Sequence, residues 1–259
     1  MKIITLIENT AGREDLAAEH GLSLYIETGG HKILFDAGQS AAFADNAEKL
    51  GVDLSLVDIC ILSHGHYDHG GGLKRFLEIN DTAPIYVSCH AFEGHYGAND
   101  RYIGLEPALA ENPRIRSVDA TMELFPGLTL LSCKDRERPF GGDNFGLHVM
   151  ENSILVPDDF RHEQYLLAEE AGKRILFSGC SHKGILNIAH WFSPDVLVGG
   201  FHFMKLEDPA ALTDAARQLA RYDTTYYTGH CTGQMQYGCM KRVLGDKLHS
   251  LSGGTEIVL

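Results

Sequence analysis

The chain has 259 residues, of which 44% are hydrophobic and 22% are charged, a balance typical of a folded globular protein. Its 22 basic and 35 acidic residues give a formal net charge of -13. That charge disfavours nucleic acid as a partner, because binding it requires lysine and arginine to neutralise phosphates. No stretch approaches the roughly 20 apolar residues that cross a bilayer, and the six cysteines are scattered. We therefore expect a cytoplasmic protein with reduced thiols and no membrane partner.

Apolar runs of strand length recur along the chain and are interspersed with helical segments. The N-terminal part predicts strands over 2–7, 22–28 and 32–36, a helix over 40–50, a strand over 58–62 and a helix over 71–79. The middle predicts strands near 85–89, 128–132 and 173–178, with a polar, Gly-rich loop over 134–144. The C-terminal part predicts a strand near 195–199, a helix over 208–221, a strand over 224–228, a helix over 233–244 and a strand over 256–259. No repeat or linker divides these elements, so we expect one domain over residues 1–259, with two packed sheets flanked by helices.

A predicted strand leads directly into residues 64–69, which read His-Gly-His-Tyr-Asp-His. Residues two apart in an extended segment point to the same side, so His64 and His66 can bind one ion. The chain must then turn back for Asp68 and His69 to face the same cavity, and the glycines within and after the segment permit such a turn. Imidazole and carboxylate groups suit zinc, iron or manganese. The segment therefore predicts a metal site.

This His-x-His-x-Asp-His pattern closely resembles the motif of the metallo-β-lactamase superfamily, and the resemblance covers nearly the whole chain. Within the superfamily, the sequence is similar to a subgroup of small hydrolases labelled dihydropterin ribofuranosylaminobenzene-phosphate synthases. The segments that carry this closer match are 21–28, 33–36, 179–182, 199–202 and 229–233. The resemblance implies an α/β fold, the αββα sandwich of two mixed β-sheets flanked by helices, and a metal-dependent hydrolase.

The resemblance also implies metal ligands at the ends of later strands. His230 stands where the superfamily places its last histidine ligand, and Cys180 stands where most members have an aspartate that bridges two metals. A thiolate can bind zinc, but a buried cysteine is often only an apolar filler. His182, two residues further on in a polar turn, is the better candidate. Asp36 matches an aspartate that holds and orients a ligand imidazole.

The superfamily's middle histidine ligand, expected ahead of the turn that holds Cys180, has no clean match in this chain. His162, Asp158 and Asp159 are candidates for its place, and His182 is a fourth. We expect two divalent ions, taken as zinc with iron or manganese as alternatives. A missing ligand would weaken one of the two sites.

The expected chemistry is hydrolysis by a metal-bound hydroxide, because a bound divalent metal lowers the pKa of water. Asp68 would orient the nucleophile, and His202 or backbone N–H groups near Gly199 and Gly200 would contact the developing oxyanion. His90 is a further candidate for the wall of the pocket. We expect the substrate to be a small phosphorylated or acyl molecule with an ester-type bond, such as a phosphoester or a lactone.

Two alternatives share the expected fold. Di-iron redox relatives usually replace the second histidine with a carboxylate and carry a flavin domain, whereas this chain has His66 and is too short to include such a domain. A non-catalytic sensor of small molecules would not need Asp68. We assign no role in the site to the remaining scattered histidines, namely His20, His31, His148, His190 and His249.

Overall fold

Seventeen strands and six α-helices make up the computed structural model, which describes all residues from 1 to 259. In chain order the strands are β1 (Lys2–Ile7), β2 (Ser23–Thr28), β3 (His31–Phe35), β4 (Ile59–Ile61), β5 (Ile85–Ser88), β6 (His95–Tyr96), β7 (Ile115–Val118), β8 (Met122–Phe125), β9 (Leu128–Leu131), β10 (His148–Glu151), β11 (Ile154–Pro157), β12 (Tyr165–Glu170), β13 (Lys173–Gly179), β14 (Val196–Gly199), β15 (Thr225–Thr228), β16 (Leu248–Ser250) and β17 (Glu256–Val258). The helices are α1 (Ala42–Lys49), α2 (Tyr67–Gly70), α3 (Leu73–Ile79), α4 (Ile185–Phe192), α5 (Pro209–Leu219) and α6 (Gln234–Leu244).

The strands form two seven-stranded sheets and one three-stranded sheet. The first large sheet has the order β17-β1-β2-β3-β4-β5-β7, and the second has the order β16-β15-β14-β13-β12-β9-β8. In each large sheet, three antiparallel pairings on one side meet three parallel pairings on the other. Both large sheets are therefore mixed. The small sheet has the order β11-β10-β6.

The side chains of β3 and β13 show how the layers are held together. Ile33 and Phe35 of β3 pack in one buried apolar cluster with Ile175 and Phe177 of β13, between the two large sheets. Leu34 of β3 and Leu176 of β13 point the opposite way, because side chains alternate along a strand. Leu34 packs with α1 and α3, and Leu176 packs with α4, α5 and α6. The layers are helix, sheet, sheet and helix, so the predicted αββα fold class is confirmed.

Each helix and strand that the sequence predicts is present, with ends that differ by no more than two residues. The segment 134–144 is a loop, as predicted. β12 and α4, which both border the site described below, were not predicted from the sequence. None of the six helices has the length and apolar character that a membrane-spanning helix requires.

Five loops follow the carboxyl ends of strands and meet at one edge of the sandwich. In the first large sheet these loops follow β3 and β4, and in the second they follow β13, β14 and β15. Contacts between the loops cross from one sheet to the other, since the His69 ring lies 3.2 Å from both the Cys180 sulfur and the His230 ring nitrogen. The edge therefore joins segments that are far apart in the sequence.

Candidate metal centre

Asp36 follows β3 and connects it to the loop after β4. Its carboxylate accepts hydrogen bonds from the Ser63 amide and hydroxyl, each at 2.7 Å, and lies 2.6 Å from Nδ1 of His69. The residue is buried and its backbone is left-handed, with φ at 60°, a region that aspartate enters more readily than most residues. Asp36 therefore fixes both the start of the loop and the orientation of the His69 ring.

The loop from His64 to His69 turns back on itself through α2. His66 precedes the helix with an extended backbone, and the single helical turn that follows carries Asp68 and His69. As a result the His64 and His69 rings lie 4.2 Å apart. Gly65 is needed here, because an added Cβ atom would collide with the backbone of the loop after β5.

His64, His66 and His182 form what we call the first ligand group. All three side chains are buried, and each offers one ring nitrogen within 4.8 Å of the others. Nε2 of His64 lies 3.3 Å from Nε2 of His182. Two nitrogens bound to a tetrahedral zinc ion would be separated by about 3.3 Å. The spacing therefore suits a shared ion.

Asp68, His69, Cys180 and His230 form the second ligand group. Nε2 of His69 lies 3.2 Å from Sγ of Cys180 and 3.2 Å from Nε2 of His230. Oδ2 of Asp68 lies 3.3 Å from Nε2 of His230 and 3.9 Å from Nε2 of His69. All four side chains are buried. This group combines imidazole with a carboxylate and a thiol, whereas the first group contains imidazole alone.

Hydrogen bonds to the outer ring nitrogens orient three of these histidines. Nδ1 of His69 faces the Asp36 carboxylate, Nδ1 of His230 lies 2.8 Å from Oδ1 of Asn9, and Nδ1 of His64 lies 2.8 Å from the Ser63 hydroxyl. Such partners fix the tautomer, so that the opposite nitrogen presents its lone pair to a metal. The three Nε2 atoms are therefore the donor atoms.

A buried carboxylate holds the backbone of His182. Glu163 accepts hydrogen bonds from the amides of His182 and Lys183 at 2.6 and 3.0 Å, and from the Tyr165 hydroxyl at 2.6 Å. The Lys183 ammonium donates to the backbone carbonyl groups of Ser132 and Glu163 at 2.9 and 2.7 Å. Burial lowers the pKa of Lys183 to about 8. The first ligand group thus rests on a buried hydrogen-bonded framework.

Electrostatics favours the metal-binding form at most of these donors. At His69 burial lowers the pKa, but the Asp36 and Asp68 carboxylates outweigh burial and raise that pKa above its ordinary value. Burial, reinforced by neighbouring imidazoles, lowers the pKa of His64, His66 and His182 well below the ordinary histidine value, so these rings are neutral and their lone pairs are available. Burial alone would raise the pKa of Asp68, but the nearby histidines hold it well below its ordinary value. Burial raises the pKa of Cys180, although coordination by a metal deprotonates a thiol.

Divalent metal fits this donor set. Imidazoles, one carboxylate and one thiol converge without a lysine or arginine among them. Nε2 of His66 and Nδ1 of His182 are buried with no hydrogen-bond partner. Buried polar atoms are rarely left unpaired, and exceptions commonly mark an ion or a ligand. Residues of the first group would hold one ion and residues of the second group another.

The structure places His182 beside His64, and it places the other candidates for the missing middle ligand elsewhere. His162 and Asp158 pack together with His95 next to His66. Oδ2 of Asp158 lies 3.2 Å from Nδ1 of His95 and 3.3 Å from Nε2 of His162. This cluster is buried and shares His66 with the first ligand group, as a set of donor atoms that lie within 4.8 Å of one another.

His162 supports the loop through a hydrogen bond. Its Nδ1 accepts a hydrogen bond from the Gly65 amide at 2.9 Å. Its buried Nε2, 3.3 Å from Oδ2 of Asp158, has no hydrogen-bond partner. His162 and Asp158 therefore lie beside the first ligand group, whereas Asp159 is exposed.

The other predicted pocket residues differ in position. The His202 ring lies 4.3 Å from the His182 ring, and its Nδ1 is buried without a hydrogen-bond partner. Burial, followed by the proximity of His230, lowers the pKa of His202 to about 4. His90 is only half-buried, and its Nδ1 lies 2.8 Å from a Glu93 carboxylate oxygen. His202 therefore borders the ligand groups, while His90 is occupied by a local contact.

His20, to which no role was assigned from the sequence, lies at the site. Its Nε2 is 3.3 Å from Oδ2 of Asp68, and its ring lies 4.7 Å from the His230 ring. Sequence analysis also missed His95 and Cys231. The Cys231 thiol donates to the Cys180 carbonyl at 3.5 Å. Cys231 could have been predicted from its position next to His230 in the Gly-His-Cys segment at 229–231. No local pattern marks His20 or His95.

Comparison with known proteins agrees with the fold. The family model of the metallo-beta-lactamase superfamily matches residues 17–230. The chain therefore belongs to the metallo-beta-lactamase superfamily.

Two relatives come from Methanocaldococcus jannaschii. One is named 7,8-dihydropterin-6-methyl-4-(beta-D-ribofuranosyl)-aminobenzene-5'-phosphate synthase, and it is 30% identical over 266 residues, covering 90% of this chain and 88% of the relative. The other is an uncharacterized protein that is 30% identical over 238 residues, covering 88% of this chain and 89% of the relative. The predicted resemblance to the synthase-labelled subgroup is thus confirmed.

Two solved structures share the architecture. The crystal structure of a metal-dependent hydrolase of the beta-lactamase superfamily has a TM-score of 0.83 and 28% identity, covering 100% of this chain and 99% of the other. Zn2+-bound PqqB from Methylobacterium extorquens has a TM-score of 0.63 and 14% identity, covering 100% of both chains. The second likeness concerns the fold alone.

Proposed function

We propose that this protein is a metal-dependent hydrolase that cleaves an ester-type bond of a small molecule at a site for two divalent ions. The observation that carries the proposal is the presence of two adjacent ligand groups, one of three imidazoles and one that adds a carboxylate and a thiol. The similarity to a solved metal-dependent hydrolase over the whole chain supports it. Zinc is the ion that suits mixed nitrogen and sulfur donors best.

The ions would supply Lewis-acid chemistry, which lowers the pKa of water and polarises the scissile oxygen. Asp68 is a carboxylate at neutral pH, because the neighbouring histidines hold its pKa well below the ordinary value. Its oxygens can accept a hydrogen bond from the attacking water and so orient it. His20 is 43% exposed and lies 3.3 Å from Oδ2 of Asp68, so it connects this carboxylate to solvent.

His202 is suited to contact the oxygen on which charge develops. Its ring borders the first ligand group, and its buried Nδ1 has no hydrogen-bond partner in the protein. Since the ring is neutral, it carries one N–H that can donate to an oxyanion. The residue has a left-handed backbone, with φ at 53°, and strained conformations of this kind are commonly retained at functional sites.

A synthase is the second candidate function, because one relative that is 30% identical carries that name. Both candidates need the same ligand groups, so metal content tests what they share and substrate turnover separates them. A hydrolase releases two products from one substrate and water, whereas a synthase of the named kind joins two organic substrates.

The experiment measures metal content and turnover on the same preparations. The wild-type protein, purified without chelator, is expected to hold about two ions per chain, consistent with a two-metal site. His66→Ala is expected to lose at least one of them. His249→Ala, in the outer strand β16, is the control and is expected to keep both.

A screen of phosphoesters and lactones then follows. Turnover that falls with metal content across these variants is the expected result. Full metal content without hydrolysis of any ester would overturn the hydrolase and favour the synthase. Absence of bound metal after incubation with zinc, iron or manganese would overturn both.

A further inference from the structure

An apolar cavity of about 460 Å³ lies between the loop before β10 and the start of α4. The rings of Phe140, Phe145 and Phe203 line it, together with glycine residues that leave the rings accessible. Phe140 remains 42% exposed, so its ring can be reached from solvent. The cavity thus presents aromatic faces to solvent.

The cavity lies next to a residue that borders the candidate metal centre. The ring of Phe145, which lines the cavity, lies 4.1 Å from the His202 ring, and the His202 ring lies 4.3 Å from the His182 ring of the first ligand group. Phe145 and His202 both have left-handed backbones, with φ at 56° and 53°. The buried Nδ1 of His202 has no hydrogen-bond partner. One ring, that of His202, therefore stands between the cavity wall and the first ligand group.

The loop that forms one wall is held in place by α4. The buried side chain of Asn187 accepts a hydrogen bond from the Phe140 amide at 3.0 Å and donates one to the Gly141 carbonyl at 2.8 Å. The wall is therefore attached to a helix of the αββα core. Pre-organisation of this kind reduces the entropy lost when a ligand binds.

Charge helps to define the occupant. Lys205 and Asp143 are the only two charged residues that line the cavity, so their formal charges cancel. A neutral cavity with three phenyl rings favours an uncharged flat group over a phosphate or a carboxylate, since ring stacking and apolar burial are the available interactions.

We propose that this cavity binds an aromatic ring of the substrate while the reactive bond lies at the two ligand groups. The inference rests on the proposed function, because it places the bond to be cleaved next to His202. It adds a substrate class, namely aromatic esters in which the ring is attached near the scissile bond.

A larger cavity of about 610 Å³ provides the rival location. It is lined mainly by hydroxyl and amide groups around Tyr237 and borders His230. There Nδ1 of His230 is already held by Asn9, so this cavity lies at the outer side of the second ligand group. Besides the His230 imidazole it contains one aromatic ring, that of Tyr237, and it offers less apolar surface for stacking.

Equilibrium binding of two phosphonates to the metal-loaded protein tests the proposal. 1-Naphthylphosphonate and methylphosphonate have the same metal-binding head and a carbon–phosphorus bond that a hydrolase of esters does not cleave. Calorimetry is expected to show that the naphthyl compound binds at least about tenfold more tightly, the smallest gain expected from burying an aromatic ring.

Phe145→Ala and Phe140→Ala are expected to reduce that preference to about threefold or less, with methylphosphonate affinity unchanged. Tyr237→Ala, which removes the ring of the rival cavity, is the matched control and is expected to keep the full preference. Because Phe140 and Phe145 are exposed or half-buried, both variants are expected to fold.

Equal affinity for the two phosphonates, binding of neither, or loss of the preference in Tyr237→Ala instead would overturn the subsite. The two proposals can fail separately. A preference for the naphthyl compound without turnover of any ester would overturn the hydrolase and support the subsite. Turnover of esters without that preference would support the hydrolase and overturn the subsite.

Discussion

The two ligand groups differ in donor chemistry and in the way they are oriented. The first group has three neutral imidazoles, and two of its buried ring nitrogens have no hydrogen-bond partner. The second group has four donors, including a carboxylate and a thiol, and two of its histidines are oriented by Asp36 and Asn9. The second group therefore offers a cation negatively charged donors and histidine rings held in place by hydrogen bonds. The first group has no charged donor, and fewer of its rings are held in this way.

This difference indicates that the two groups differ in metal affinity and in their position relative to the substrate. Divalent cations bind more strongly where ligand charge and outer hydrogen bonds assist, so the second group is expected to bind its ion more tightly. The first group borders His202, whose ring contacts Phe145 of the apolar cavity. Four substitutions test whether the groups differ in this way, beginning with the largest expected effect.

The first prediction concerns Asp68, which belongs to the second group and also faces solvent through His20. Asp68→Asn keeps the shape of the side chain but removes its charge and one acceptor. We expect turnover to fall by about 10³-fold or more, within the range of a lost catalytic carboxylate, while His69, Cys180 and His230 retain an ion. Steady-state kinetics with metal analysis measures both. Unchanged turnover would show that Asp68 has no role in orienting water.

The second prediction concerns His182. His182→Ala leaves the first group with two imidazoles, and metal analysis is expected to find about one ion fewer per chain, since zinc sites rarely persist with two protein ligands. His148→Ala, on β10, is the control. Loss of both ions would contradict the independence of the two groups.

The third prediction concerns Asp36. Asp36→Asn suits the left-handed backbone but weakens the hydrogen bond to Nδ1 of His69. Changes to such outer partners lower metal affinity by about 10–100-fold, and we expect this loss in the second group with a smaller change in the first. Competition with a chromogenic chelator resolves the two affinities. Equal weakening of both would show that Asp36 acts through Ser63 on the whole loop.

The fourth prediction, with the smallest effect, compares two neighbouring thiols. Cys180→Ser replaces a soft donor by a hard one and is expected to shift the preference from zinc towards manganese by a few-fold, following ligand softness. Cys231→Ser is the matched control and is expected to leave the preference unchanged. A shift in the Cys231 variant alone would make Cys231 the ligand.

The fold was predictable where sequence pattern and burial agree. Strands such as β3 and β13 are buried on both faces and appear as continuous apolar runs. β12 was missed because its residues, Tyr165–Glu170, end in alanine and glutamate, which favour helix in isolation, and its pairing with β9 and β13 outweighs that preference. α4 was missed because it has only 8 residues, too few for a clear periodicity.

The candidate site was predictable only in part, for a related reason. His64, His66, Asp68 and His69 are close in sequence, so their spacing alone indicated a metal site. The donors after β13 and β15 came from family resemblance. His20 lies in an irregular segment before β2, and its proximity to Asp68 depends on tertiary packing that no local pattern records.

The position of the ligand groups along the seam between the two large sheets links metal to folding. The first sheet supplies the donors of residues 64–69, and the second supplies Cys180, His182 and His230. Separation of the two sheets would move these donors apart, so the ion binds only the folded chain. The apparent stability of the folded chain therefore rises with the logarithm of the free metal concentration. The unfolding temperature of this protein is therefore expected to depend on the free metal concentration of the solution as well as on the amino-acid sequence. Removal of metal would lower the unfolding temperature of the unaltered chain.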